Sequence, residues 1–115
     1  MRTRRILPED YEPITEIARS LHPQWFTESA LEEIARAVRT QDGFVAIEKK
    51  VVGLATYLQA GKDRTAELTW IAVRPEIHRK GVGRALVEAI EEELAKQRIQ
   101  SLQVSTLAPT EEYDP

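Results

Sequence analysis

The stretch ELTWIAVRPEIHRKGVGRA, Glu67 to Ala85, decides the fold. With the preceding Thr65 and Ala66, its first part is rich in β-branched and aromatic residues, which predicts a strand over Thr65–Val73. Arg74-Pro75 closes that strand, because proline has no N–H with which to extend a ladder. A helix is expected from about Gly81 to Gln97, with Val82, Ala85, Leu86, Ala89, Ile90 and Leu94 on its buried face and Glu91-Glu92-Glu93 mostly toward water. Gly81 and Gly83 at its start permit close backbone approach, and the free N–H groups of a helix start form an anion site. The helix dipole adds about 0.3–1 kcal/mol per exposed negative group. Arg79, Lys80 and Arg84 surround this cradle with cations, so phosphate oxygens are the expected guest. A bare GxG is equally a glycine-containing turn with solvated basic residues around it. The two common nucleotide motifs do not fit: there is no GxxxxGK[ST] run, and GxGxxG would need glycine where Leu86 stands.

Outward from this stretch, the period of the sequence changes twice. Phe44–Glu48 and Val51–Gln59 read as strands joined at Lys49-Lys50, an antiparallel hairpin, and Ala60–Arg64 as a polar turn with Gly61. Before them, Ile14, Ile17, Ala18 and Leu21 lie at helical spacing, with Asp10 as N-cap, Pro13 in the first turn and His22-Pro23 as the stop. A second helix carries Leu31, Ile34, Ala35 and Val38, capped by Thr27 or by Ser29, which forms a capping box with Glu32. Arg2–Leu7 is a short strand. Ile99–Leu107 is a further strand, parallel to its predecessor through the helical crossover. The expected order is β-α-α-β-β-β-α-β, an α/β (α+β) fold with a mixed sheet flanked by helices.

Composition bounds the function. The 115 residues are enough for one small domain, and 42% hydrophobic with 30% charged residues is globular. A net charge of −3 and no basic stripe argue against a nucleic-acid or anionic-membrane partner. Zero cysteines exclude disulfides and thiol nucleophiles and fit a reducing compartment, hence a cytoplasmic expectation. No apolar run is long enough to span a membrane, and His22 and His78 alone give no metal cluster.

The segment Ile71-Ala72-Val73-Arg74-Pro75, followed by His78-Arg79-Lys80-Gly81-Val82-Gly83, resembles the core motif of the GCN5-related N-acetyltransferases, Q/R-x-x-G-x-G/A at a helix start after a strand. The resemblance spans nearly the whole chain. It implies acetyl-CoA as cosubstrate, bound in the splay between the motif strand and the next, with backbone N–H groups of Arg79, Gly81, Gly83 and Arg84 on the pyrophosphate. His78, Lys80 and Val82 complete that cradle. Main-chain groups of Ile71 and Val73, with Ala72 between them, would bond the pantetheine arm and stabilise the oxyanion of acyl transfer. His78 departs from the motif's Gln or Arg, and its imidazole can still donate a hydrogen bond.

Acyl transfer needs an unprotonated amine, yet a lysine amine has a pKa of about 10.4 and an α-amine one near 8. A proton acceptor is therefore required. Glu67, whose placement also resembles that of the glutamate base in family members that acetylate histones, is the candidate catalytic residue; the alternative is an exposed strand glutamate in a cross-strand pair. Thr69 and Thr106 are candidates for holding a water. Trp25, Phe26 and Tyr57 are the candidate acceptor-binding aromatics, against a default of core packing. The acceptor would be a small-molecule or protein amine.

The family continues past this strand with a helix and a β-hairpin, and the chain stops at TEEYDP about where that helix begins. Residues 1–115 are therefore expected to form one incomplete cofactor-binding domain, C-terminally truncated, whose last strand offers a free edge to a second copy. Tyr113 is not equated with the tyrosine that the family's helix commonly supplies. The competing expectation is a non-catalytic module of the same fold that binds CoA or a protein partner.

Overall fold

The computed structural model describes residues 1–22, 24–60, 65–78, 80–99 and 101–104. The expected turn at Gly61, Arg79, Thr106, Tyr113 and the last part of the final strand lie outside the described residues. The order of elements is β1 Arg2–Arg5, α1 Tyr11–Ser20, α2 Glu28–Thr40, β2 Asp42–Glu48, β3 Lys50–Ala60, β4 Thr65–Val73, α3 Val82–Lys96 and β5 Ser101–Val104, with short 3-10 turns at Pro8–Asp10 and Pro75–Ile77. This is the expected β-α-α-β-β-β-α-β succession.

The strands form one sheet in the order β1-β2-β3-β4-β5. The first three pairings are antiparallel, and β5 runs parallel to β4. Helices cover both faces. On one side α1 and α2 bury Ile14, Ile17, Leu21, Ile34 and Val38 against Val45, Leu54, Trp70 and Ala72. On the other, Val82, Leu86, Ile90 and Leu94 of α3 pack on Val52, Ala55, Leu68, Ile71 and Val73. Burying one such side chain stabilises by about 1.5–3 kcal/mol, which is why these stripes fix where each helix sits.

Two bulges bend the sheet beside α3. In β3, Ala46 pairs with Gly53 while Ile47 pairs with Val51, so Val52 is the extra residue. A Cβ on Gly53 would lie 3.0 Å from Val82 Cγ1 and 3.3 Å from Leu86 Cδ1, so glycine there lets α3 approach the sheet closely. In β4, Thr56 pairs with Trp70 while Tyr57 pairs with Leu68, leaving Thr69 as the extra residue.

The caps differ in detail from expectation. Thr27 caps α2, its side chain accepting from Ala30 N at 3.1 Å, while Ser29 lies inside the helix. Asp10 stands at the N-cap of α1 without a side-chain cap bond. Instead its carboxylate turns back, accepting from Arg4 Nη1 at 2.8 Å, Arg4 Nη2 at 3.0 Å and the Leu7 amide at 2.7 Å. A charge-assisted bidentate pair outweighs a cap bond, and it ties β1 to the start of α1.

Candidate functional site

The bulge at Thr69 organises β4. Strict alternation along TAELTWIAV would place Glu67, Thr69, Ile71 and Val73 on one face. The extra residue breaks that parity. Ala66, Leu68, Ile71 and Val73 all pack toward α3, whereas Trp70 joins the α1–α2 core. Thr69 also turns to the α2 side, where its hydroxyl donates to Gln41 Oε1, at the end of α2. A threonine has one O–H, so the 2.8 Å contact between Thr56 Oγ1 and Thr69 Oγ1 is donated by Thr56, which is fully buried.

Main-chain direction follows from the same register. Arg74 N donates to Val52 O at 2.9 Å, which makes that opposed couple a hydrogen-bonded pair. Antiparallel pairs alternate, so Ala72 bonds β3 while Ile71 and Val73 turn their N–H and C=O groups to the other edge. On that edge β5 pairs with Thr65 to Leu68, and among the described residues no strand covers β4 from Thr69 onward. The carbonyl of Val73 has a side-chain partner there. His78 Nε2 donates to it at 2.7 Å, and the imidazole meets the edge of Trp25 at 5.9 Å between centroids and 78° between planes.

Past His78, Gly81 is the N-cap of α3 with φ 81°, a left-handed conformation that costs glycine little and other residues more. The first helical bond runs from Ala85 N to Gly81 O, so the amides of Val82, Gly83 and Arg84 precede any intrahelical acceptor. Lys80 and Arg84 are exposed beside them. This free strand edge, leading to unbonded helix amides and flanking cations, fits a ligand that begins with amide or carbonyl groups and ends in phosphate. Acetyl-CoA is such a ligand.

Glu67 lies across the bulge from that edge. It pairs in register with Leu58 and Gln103, is exposed, and lines a cleft of about 280 Å³ with Glu33, Arg36, Thr40, Gln41 and Thr69. Larger hollows of about 350 and 470 Å³ lie on the surface of α1 and α2 and include no residue of β4 or α3. Among the described residues no group of three or more His, Asp or Glu could hold a metal ion.

The three aromatics separate. Trp25 is partly exposed, against His78. Phe26 is buried edge-on to Trp70, at 5.8 Å and 81°. Tyr57 is not brought to them. Its parity in β3 sends the ring to the α3 face, where it is fully buried and stacked on Phe44 at 6.5 Å and 14°. Burial raises the pKa of its phenol, against a counteracting charge from Arg5. Glu33, Arg36, Gln41 and Thr56 were not singled out in the sequence. Glu33, Arg36 and Thr40 do share one helix face by spacing, but that spacing does not say that the face looks at β4.

The family model of the acetyltransferase (GNAT) family matches residues 6–112. The chain belongs to that family, a class of acyl-transferring enzymes. Solved structures agree on the fold. A Desulfovibrio desulfuricans protein assigned to the GNAT acetyltransferases superposes with TM-score 0.79 at 24% identity, over 90% of this chain and 71% of that one. PaiA N-acetyltransferase of Thermoplasma acidophilum, in complex with coenzyme A, gives 0.72 at 17% identity over 90% and 79%. An aminoglycoside 6'-N-acetyltransferase complexed with coenzyme A gives 0.73 at 17% over 90% and 61%. None of the curated proteins compared with the chain matches it. No helix among the described residues is long and apolar enough to cross a membrane.

Proposed function

We propose that this protein is an N-acetyltransferase that moves the acetyl group of acetyl-CoA to a primary amine, with Glu67 accepting the amine's proton. The observation that carries the reading is one strand serving two sites: β4 presents Ile71 and Val73 at an open edge, and Glu67 just before the bulge in a cleft on the α2 side. Bound acetyl-CoA would supply the activated acetyl group. The amides of Val82, Gly83 and Arg84, with Lys80 and Arg84 beside them, would hold its phosphates. The N–H groups of Ile71 and Val73 would orient the thioester end and offset charge developing on the carbonyl oxygen. Glu67 would take the proton directly or through a water, general-base work that typically contributes 10²–10⁴-fold. The same reading takes residues 1–115 as one domain that works in the cytoplasm and pairs with a second copy along the outer edge of β5.

The test is release of free thiol from acetyl-CoA with a panel of amines. Glu67→Gln should lower kcat about a hundredfold or more while CoA affinity is kept; unchanged turnover removes the base role. The competing reading is a module of the same fold that binds CoA without turnover. CoA binding by calorimetry with no turnover of any amine would select that reading.

A further inference from the structure

The cleft at Glu67 also carries information about the acceptor, an inference that rests on the proposed acetyl transfer. Glu33, Arg36 and Thr40 stand at i, i+3 and i+7 on α2, so one face of the helix forms the wall opposite β4. Among the described residues, no side-chain hydrogen bond or ion pair engages Glu33, Arg36 or Glu67. The cleft thus holds a guanidinium and two carboxylates whose charges are not used by the fold. Leu58, opposite Glu67 on the neighbouring strand and on the same face, is 47% exposed and places apolar surface beside Glu67.

We infer that the acceptor is a small amine bearing a single carboxylate, an amino acid, with Arg36 holding the carboxylate while Glu67 faces the amine. A diamine would satisfy the two glutamates but set an ammonium against Arg36. A dicarboxylate would pair with Arg36 but bring its second charge against Glu33 or Glu67. One ammonium and one carboxylate meet opposite charges on both walls. Arginine suits the role because its planar fork accepts a carboxylate bidentately. Arg36 is thus a specificity-determining residue acting on binding.

The experiment measures acetyl-CoA-dependent acetylation of leucine and alanine, each against its carboxamide, by the full chain and by Arg36→Gln. In the wild type the acids should have the lower KM. Arg36→Gln should raise KM for the acids about tenfold, the loss of a charge-assisted bond, leave kcat within twofold, and leave the carboxamides unchanged. Arg36→Lys should restore part of the loss. Arg36 is exposed on a helix, so the variants should keep the wild-type melting profile. Carboxamides or plain diamines turned over with KM equal to or below that of the acids, or an equal effect of Arg36→Gln on both series, would overturn the inference while leaving acetyl transfer standing. Turnover of no amine at all would overturn both.

Discussion

His78 Nε2 donates a 2.7 Å hydrogen bond to the carbonyl of Val73, five residues earlier. The bond folds the loop after β4 back over that strand's open edge and fixes the proton on Nε2. Trp25, from the segment between α1 and α2, packs against the same imidazole. One side chain therefore touches both the open edge of β4 and one of the expected acceptor-binding aromatics.

If the pantetheine arm takes the place of His78 at the Val73 carbonyl, that bond is lost on binding. Removing a hydrogen bond of about 0.5–1.5 kcal/mol beforehand should then tighten CoA binding by up to about tenfold in His78→Ala. Calorimetry on wild type and variant checks this; weaker binding would instead make the imidazole a direct cofactor contact.

Gly53 should not tolerate a larger residue. Gly53→Val drives methyl groups into Val82 and Leu86, which already lie 3.0 and 3.3 Å from a Cβ placed there. Overpacking of this kind costs about 1–3 kcal/mol. Because Val82 opens α3, CoA affinity should fall with stability, and denaturant unfolding with calorimetry would report both.

Thr69→Val keeps the shape of the side chain but removes the acceptor of the buried Thr56 hydroxyl and the donor to Gln41. Leaving a buried hydroxyl unpaired costs about 1–3 kcal/mol. The double variant with Thr56→Val should recover part of that loss, which urea melts would show as a favourable coupling.

Asp10 is 2% exposed. Burial alone would raise its pKa, but the Arg4 hydrogen bonds, the Leu7 amide and the Arg4 charge together hold it below the ordinary aspartate value. A group with a depressed folded pKa contributes its stabilisation above the unfolded value, about 3.9, and loses it as pH falls through the folded one. Asp10→Asn should therefore cost about 1.5–3 kcal/mol near neutral pH, the range for hydrogen bonds to a charged group, with the gap to wild type closing in acid. A gap independent of pH would refute the assignment.

The expected elements and their order match the structure because each carries its own local signal. Thr65–Val73 has its β-branched and aromatic run, and Pro75 closes it. The stripe Val82, Leu86, Ile90 and Leu94 is a helix face in any context. Residue type and spacing single out Glu67 and the glycine pair at 81 and 83 as candidates, and the structure describes where they lie: Glu67 exposed on β4 and Gly81 at the N-cap of α3. Local pattern could not reveal the bulge at Thr69, which depends on how β3 and β4 share register. Tyr57 faces α3 through its own parity in β3, which its residue type alone does not show. Arg36 and Glu33 were silent because a polar helix face looks the same whether it meets water or a cleft. Asp10 read as a cap because aspartate before a helix usually is one, and only the return of β1 shows Arg4 competing for it.

The extra residue at Thr69 has a consequence for how this protein can change. It acts as a phase slip in the strand's alternation: before it the even positions 66 and 68 face α3, and after it the odd positions 71 and 73 do. Substitutions at 67 and 69 can retune what enters the cleft while 71–73 keep the backbone pattern intact. A single nine-residue strand thus behaves as two separately adjustable modules, divided by one unpaired residue.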